Sequence, residues 1–312
     1  MSVCPKNSCA GGYGNCLDIK ITNACNAKCE FCIERDGLCP EAQDVKKLIA
    51  STIAAKDFPT VLVLGGEPLV YPHLLEYLQG IRPYKEKIYL TTNGSLLDTE
   101  MADALSYLLD GINISVHHYS EFLNDAVYKT AHVDFEMLRK AIAVLHGGRE
   151  IDGVQNPSIP VRINANLVKG TLDYHKDVFT MIRWASWMGA DEIRFSELQN
   201  CEELWVDSRE IFPDLPADPF TCGCEQEVNV KRLLGTDLPI KVIVKMTCGR
   251  VNSKKPPVKE TPKRTGRTNV LYPDAKVRPG WVSSVSGDGC HPGTMTLDGC
   301  HPLSVSPSGG CH

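Results

Sequence analysis

From Leu17 to Leu198 the chain alternates short apolar runs with longer amphipathic stretches. The runs at 17–22, 60–64, 87–91, 111–116, 160–167 and 192–198 are rich in Val and Ile and often close on Gly, Asn or Ser, the pattern of buried parallel strands. Between them Val45, Leu48, Ile49 and Ile53 recur at helical spacing, as do Phe135, Leu138, Ile142 and Leu145. Val178, Met181, Ile182, Ala185 and Met188 do the same, and segments 74–81 and 99–109 supply two more helices. Six strands alternating with five helices predict a parallel sheet with right-handed crossovers and a ligand at the carboxyl ends of its strands. Periodicity alone leaves open whether that sheet curls into a partial barrel.

Beyond about residue 200 the rhythm changes. Segment 207–221 is rich in Pro and Asp and reads as a loop, 240–244 reads as a strand, and 269–281 reads as a hairpin around Pro273 and Asp274. Segment 249–269 is Pro-rich and carries seven Lys or Arg against one Glu, the composition of a solvated loop. From Ser283 the chain is rich in Gly, Ser and Cys, and Asp-Gly-Cys-His-Pro occurs at 288–292 and again at 298–302. With few bulky apolar groups to bury, this tail is expected to be disordered, and its Cys-His pairs could bind zinc or iron. The expected organisation is an N-terminal extension (1–16), a main α/β unit (17–200), a C-terminal extension with a β-hairpin (201–282) and the tail (283–312).

Composition adds little to this until the cysteines are counted. A net charge of −5 gives no overall attraction to nucleic acid or to anionic membrane, and no apolar run approaches the length of a membrane span. The first residues lack the basic start and apolar core of a signal peptide, so a cytoplasmic protein is expected. Fourteen cysteines are many for a compartment that keeps thiols reduced, and metal binding or catalysis becomes their default explanation.

Cys25, Cys29 and Cys32 stand in C-x3-C-x2-C spacing just after the first strand. A cubane used only for electron transfer normally has four thiolates, so three leave one iron open to a ligand. A structural zinc site with a fourth ligand from Cys16 or Cys39 fits the triplet alone equally well. The second strand runs into Gly65-Gly66-Glu67-Pro68, where glycines allow close approach of a ligand and a carboxylate at the mouth could hold an ammonium group. An ordinary strand-to-helix turn with a capping Glu is the alternative.

Together, the two motifs resemble the radical S-adenosylmethionine (SAM) superfamily, with Phe31 at the aromatic position of the first motif. The resemblance covers roughly residues 17–198, and the expected fold is a partial (β/α)6 parallel barrel with an irregular C-terminal extension. It implies that Cys25, Cys29 and Cys32 ligate a [4Fe–4S] cluster whose fourth iron takes the amino and carboxylate groups of SAM. Gly65, Gly66 and Glu67, with Pro68, would bind the SAM amino end, and backbone near Phe31 would lie against the adenine. The cluster would cleave SAM reductively to a 5′-deoxyadenosyl radical that abstracts hydrogen from substrate. A reducing partner such as flavodoxin or ferredoxin is implied.

Later strand ends suit the same cofactor. Ser115 matches a position from which the family often contacts SAM, while His117 and His118 read first as core or surface histidines and second as substrate contacts. Alternation puts Arg162, Asn164 and Asn166 on one face, where three polar groups are costly to bury unless a ligand pairs them. An exposed edge strand would also explain them. Arg194, Ser196 and Glu197 add polar groups near the mouth, and Arg162 with this last strand resembles, locally, the molybdenum-cofactor cyclase branch. Thr92-Asn93-Gly94 reads equally well as a turn. Cys201, Cys222, Cys224, Cys248, Cys290, Cys300 and Cys311 could hold an auxiliary cluster. The leading expectation is an enzyme acting on a small molecule or nucleotide; modification of a peptide or protein, and a non-catalytic zinc or iron–sulfur module, are the alternatives.

Overall fold

A computed structural model describes residues 16–32, 44–148, 150–151, 153–198, 201–213, 215, 225–246 and 269–279. The first half runs β1 (Cys16–Lys20), α1 (Val45–Ala54), β2 (Thr60–Leu64), α2 (Leu74–Ile81), β3 (Lys87–Thr92), α3 (Thr99–Ser106), β4 (Gly111–Ser115), α4 (Glu121–Tyr128) and α5 (Phe135–Leu145). A two-stranded ribbon of β5 (Glu150–Ile151) and β6 (Val154–Gln155) precedes β7 (Val161–Leu167), α6 (His175–Met188) and β8 (Glu192–Glu197). The extension contributes α7 (Ser208–Ile211), β9 (Glu225–Val228), α8 (Val230–Leu234), β10 (Lys241–Lys245), β11 (Asn269–Leu271) and β12 (Val277–Pro279).

The six expected strands form one parallel run, β1-β2-β3-β4-β7-β8. The extension's strands continue that sheet at both edges. β10 pairs parallel with β8 and carries β9 antiparallel, while β11 pairs parallel with β1 and carries β12 antiparallel. Among the described residues the two outer strands do not join, so the barrel is partial and open.

Burial alternates along the strands because successive side chains point to opposite faces. Leu17, Ile19, Val61, Val63, Ile88, Leu90, Ile163, Ile193 and Phe195 are fully buried on the helix-covered face. The other face carries Arg162, Asn164 and Asn166 of β7 and Glu192, Arg194 and Ser196 of β8, all half-buried. β7 lies between β4 and β8, which rules out the edge-strand explanation of its polar face.

Local signals explain several helix ends. Asp44, Asp98 and Asp134 accept from first-turn amides of α1, α3 and α5. Gly189 closes α6 in the left-handed conformation at φ 91°. Lys85, only 5% exposed, reaches the carbonyls of Ala55 and Phe58 at 2.7 and 2.8 Å just past the end of α1.

The helix α4 had no clear periodic signal. It exposes Phe122 and Leu123 and buries Asn124, the reverse of the usual pattern. Segment 207–221, expected to be a loop, begins with the single turn α7. The basic stretch to 268, the tail from Ser283, and Cys4, Cys9, Cys39, Cys222, Cys224, Cys248, Cys290, Cys300 and Cys311 lie outside the described residues.

Leu90 is central in β3 and has no exposed surface. Leu90→Ala should cost about 2–5 kcal/mol. Urea denaturation, with the midpoint falling at unchanged slope, checks this.

Candidate active site

The cysteine loop follows β1 and is built against the turn that follows β2. Ile21 N donates to the Leu64 carbonyl at 2.9 Å, Gly66 N to the Thr22 carbonyl at 2.9 Å, and Glu67 N to the Ala24 carbonyl at 2.8 Å. A Cβ on Gly66 would stand 2.2 Å from the Ala24 carbonyl oxygen, and one on Gly65 2.7 Å from that of Thr22. The close approach that these glycines permit is therefore to the cysteine loop itself.

Glu67 departs from the expected open position at the mouth. It is 1% exposed, and its carboxylate accepts from Thr92 Oγ1 at 2.6 Å, Asn93 N at 2.6 Å and Leu69 N at 2.9 Å. Burial pushes its pKa up, while these donors act in the opposite direction. Pro68, also buried, opens the short 3-10 turn that Glu67 caps. Thr92 and Asn93, which read as a simple turn, thus hold the carboxylate. Asn93 Nδ2 also donates to Asn26 Oδ1 at 2.8 Å, and Asn26 Nδ2 donates to Ser95 Oγ at 2.8 Å. No sequence spacing announces the link from Asn26, 67 residues before Asn93.

Cys25 is exposed and Cys29 and Cys32 are half-buried, all as free thiols. Burial, followed by the neighbouring Cys32 and Cys25, pushes the Cys29 thiol up to about 12; burial likewise raises that of Cys25. The three sulfurs thus lie within electrostatic range of one another. Among the described residues no three His, Cys, Asp or Glu side chains are gathered tightly enough to hold a single metal ion. Three closely spaced thiols suit an iron–sulfur core, whose cationic irons would displace their protons and leave one iron without a protein thiolate.

Phe31 carries the end of this loop across to the later strands. It meets the His117 ring edge-on at 5.0 Å and packs with Val168, Leu198, Cys201, Leu204 and Trp205. His117 is a buried core residue whose Nδ1 accepts from Asn166 N at 3.2 Å; burial lowers its pKa to about 4. His118 is also buried, and its Nδ1 accepts from Ser120 N at 2.9 Å.

Strand register sets Ser115 beside Asn164 and Asn164 beside Arg194, with Asn166 beside Ser196. Asn164 Oδ1 is buried without a hydrogen-bond partner, an orphaned acceptor that fits a ligand hydroxyl or amine. Arg162 shares this face with Asn164 and Asn166. It is second in the strand, and its guanidinium pairs with Glu192, its register neighbour on β8. Glu197 is buried and accepts from the Ser208 amide and hydroxyl, so it anchors α7. A separate cavity of about 400 Å³ lies between α6, α7, β9 and α8. Phe212 in its wall packs on Phe195, which places it on the helix-covered side of the sheet.

Residues 19–150 match the family model described as the Radical SAM superfamily. A GTP 3′,8-cyclase of Chlorobaculum tepidum is 26% identical over 208 residues, covering 63% of this chain and 59% of that protein. A probable GTP 3′,8-cyclase of Thermococcus kodakarensis is 32% identical over 181 residues, covering 55% and 53% respectively. The crystal structure of Streptococcus suis SuiB matches with a TM-score of 0.54 at 16% identity, over 74% of this chain and 49% of that one, which shows a shared fold. Over residues 19–150 the chain is thus similar to the radical SAM superfamily. Within the superfamily its sequence similarity is to the GTP 3′,8-cyclases, although it spans less than two thirds of the length of those two relatives.

Two outcomes follow from this geometry. Gly66→Ala should displace the cysteine loop and lower the iron retained per chain after anaerobic reconstitution, with the far-ultraviolet circular dichroism unchanged. For His117, the folded pKa of about 4 lies below the ordinary 6.5, so the unfolded chain takes up the proton first. Stability supplied by the neutral ring is present above pH 6.5 and falls by about 3 kcal/mol as the pH drops towards 4. His117→Gln should flatten that part of the profile in urea midpoints measured across the range.

Proposed function

We propose that Cys25, Cys29 and Cys32 hold a [4Fe–4S] cluster, that SAM binds at its open iron, and that the substrate is a small molecule, with a nucleotide favoured. One observation carries the reading: the three-cysteine loop is locked by backbone hydrogen bonds to the Gly65-Gly66-Glu67 turn at the carboxyl ends of β1 and β2. Names of the cyclase relatives support the nucleotide. When bound, the cluster would supply one electron to the sulfonium of SAM, breaking its C5′–S bond to give a radical able to take hydrogen from carbon.

The chain's own part is alignment and exclusion of water. Ser115, Asn164 and Asn166 offer polar groups on the open face of the sheet for the cofactor's hydroxyls and carboxylate. Gly65 and Gly66 keep the cluster loop seated, and Glu67 acts chiefly by fixing that turn. Phe31 with Val168 and Leu198 forms an apolar wall at the strand ends, which restricts water where a reactive species would form. The electron donor would be a flavodoxin- or ferredoxin-like protein of the cytoplasm. Among the described residues no helix is long and apolar enough to cross a membrane.

The test is anaerobic reconstitution followed by chromatography for 5′-deoxyadenosine with dithionite and SAM. Wild type should form it, and Cys25→Ala, Cys29→Ala and Cys32→Ala should reduce it to background. Fully clustered wild type that leaves SAM intact would overturn the proposal. Residual iron in the triple variant would reveal an auxiliary cluster.

A further inference from the structure

The end of α4 grips the cysteine loop from a third side. Lys28 N donates to the Tyr128 carbonyl at 2.8 Å, and Thr130 Oγ1 donates to the Asn26 carbonyl at 2.6 Å. Between them, Lys129 Nζ meets Glu30 Oε2 at 3.1 Å. Tyr128 is itself pinned beneath, with its hydroxyl donating to the Ser115 carbonyl. These contacts bring the ammonium to the residue that directly follows Cys29.

Lys129 occupies a backbone conformation, φ 65° and ψ −40°, that favours glycine. Glycine would end the helix with less strain, but it would leave the Glu30 carboxylate without this partner beside Cys29. We infer that Lys129 is a positioning residue that neutralises Glu30 and so raises the reduction potential of the group held by Cys25, Cys29 and Cys32. This rests on the proposed cluster. Net charge and hydrogen bonding near the sulfurs are among the chief determinants of an iron–sulfur potential. Side-chain exposures of 49% for Lys129 and 47% for Glu30 make the effect sensitive to salt.

The experiment is a potentiometric titration of the reconstituted full chain, read by electron paramagnetic resonance at low and high ionic strength. At low salt, Lys129→Gln should shift the midpoint downward, Lys129→Arg should preserve it, and Glu30→Gln added to Lys129→Gln should bring it back. High salt should narrow the differences. Lys129→Gly removes the charge while relieving the backbone, so it should show the same downward shift with a higher Tm. That variant carries the test if Lys129→Gln folds poorly. Loaded variants with an unshifted midpoint, or no recovery in the double variant, overturn the inference alone. A wild type that takes up no [4Fe–4S] cluster overturns the proposed function and this inference with it.

Discussion

The site depends on a backbone lock between two strand-end turns. Gly66 N and Glu67 N donate to the carbonyls of Thr22 and Ala24, and side chains at Gly65 and Gly66 would collide with those same two carbonyls. The segment carrying the three thiols is therefore placed by main-chain geometry before any cofactor arrives. Such preorganisation matters because a loop must otherwise lose its conformational freedom when the ligand binds.

Glu67 extends the lock to a third strand. Its carboxylate gathers donors from its own 3-10 turn and from Thr92 and Asn93 at the end of β3. A buried carboxylate is tolerable when such donors replace water. Asn93 then passes the connection to Asn26, within the cysteine loop. The GGE turn, the β3 turn and the loop thus form one hydrogen-bonded unit. Phe31 joins its far side to the ends of β7 and β8 by apolar packing.

The two faces of the sheet divide the labour of the fold. One is covered by helices and buries Leu90, Ile163 and Phe195. The other keeps Ser115, Asn164, Arg194 and Ser196 in adjacent register, with the orphaned Asn164 acceptor among them. On central strands such polar groups need partners, which an internal pair such as Arg162 with Glu192 supplies in part. Extension strands β10 and β11 lengthen the same sheet, so residues distant in sequence complete its edges.

The strands and most helices were legible because period-two and helical apolar spacing follow directly from backbone geometry. The loop of Cys25, Cys29 and Cys32 and the GGE turn stood out as short local motifs, and the structure joins the two through backbone hydrogen bonds. Helix α4 escaped because it exposes Phe122 and buries Asn124. The destinations of side chains were also hidden. Sequence grouped Arg162 with Asn164 and Asn166 by alternation, but the neighbouring strand supplied Glu192 as its partner. It placed Glu67 at the mouth, but Thr92 and Asn93 took the carboxylate inside. Local pattern determines which way a residue faces and what chemistry it carries. Tertiary structure alone decides its partner, because hydrogen bonds and ion pairs form between groups that the fold brings together from far along the chain.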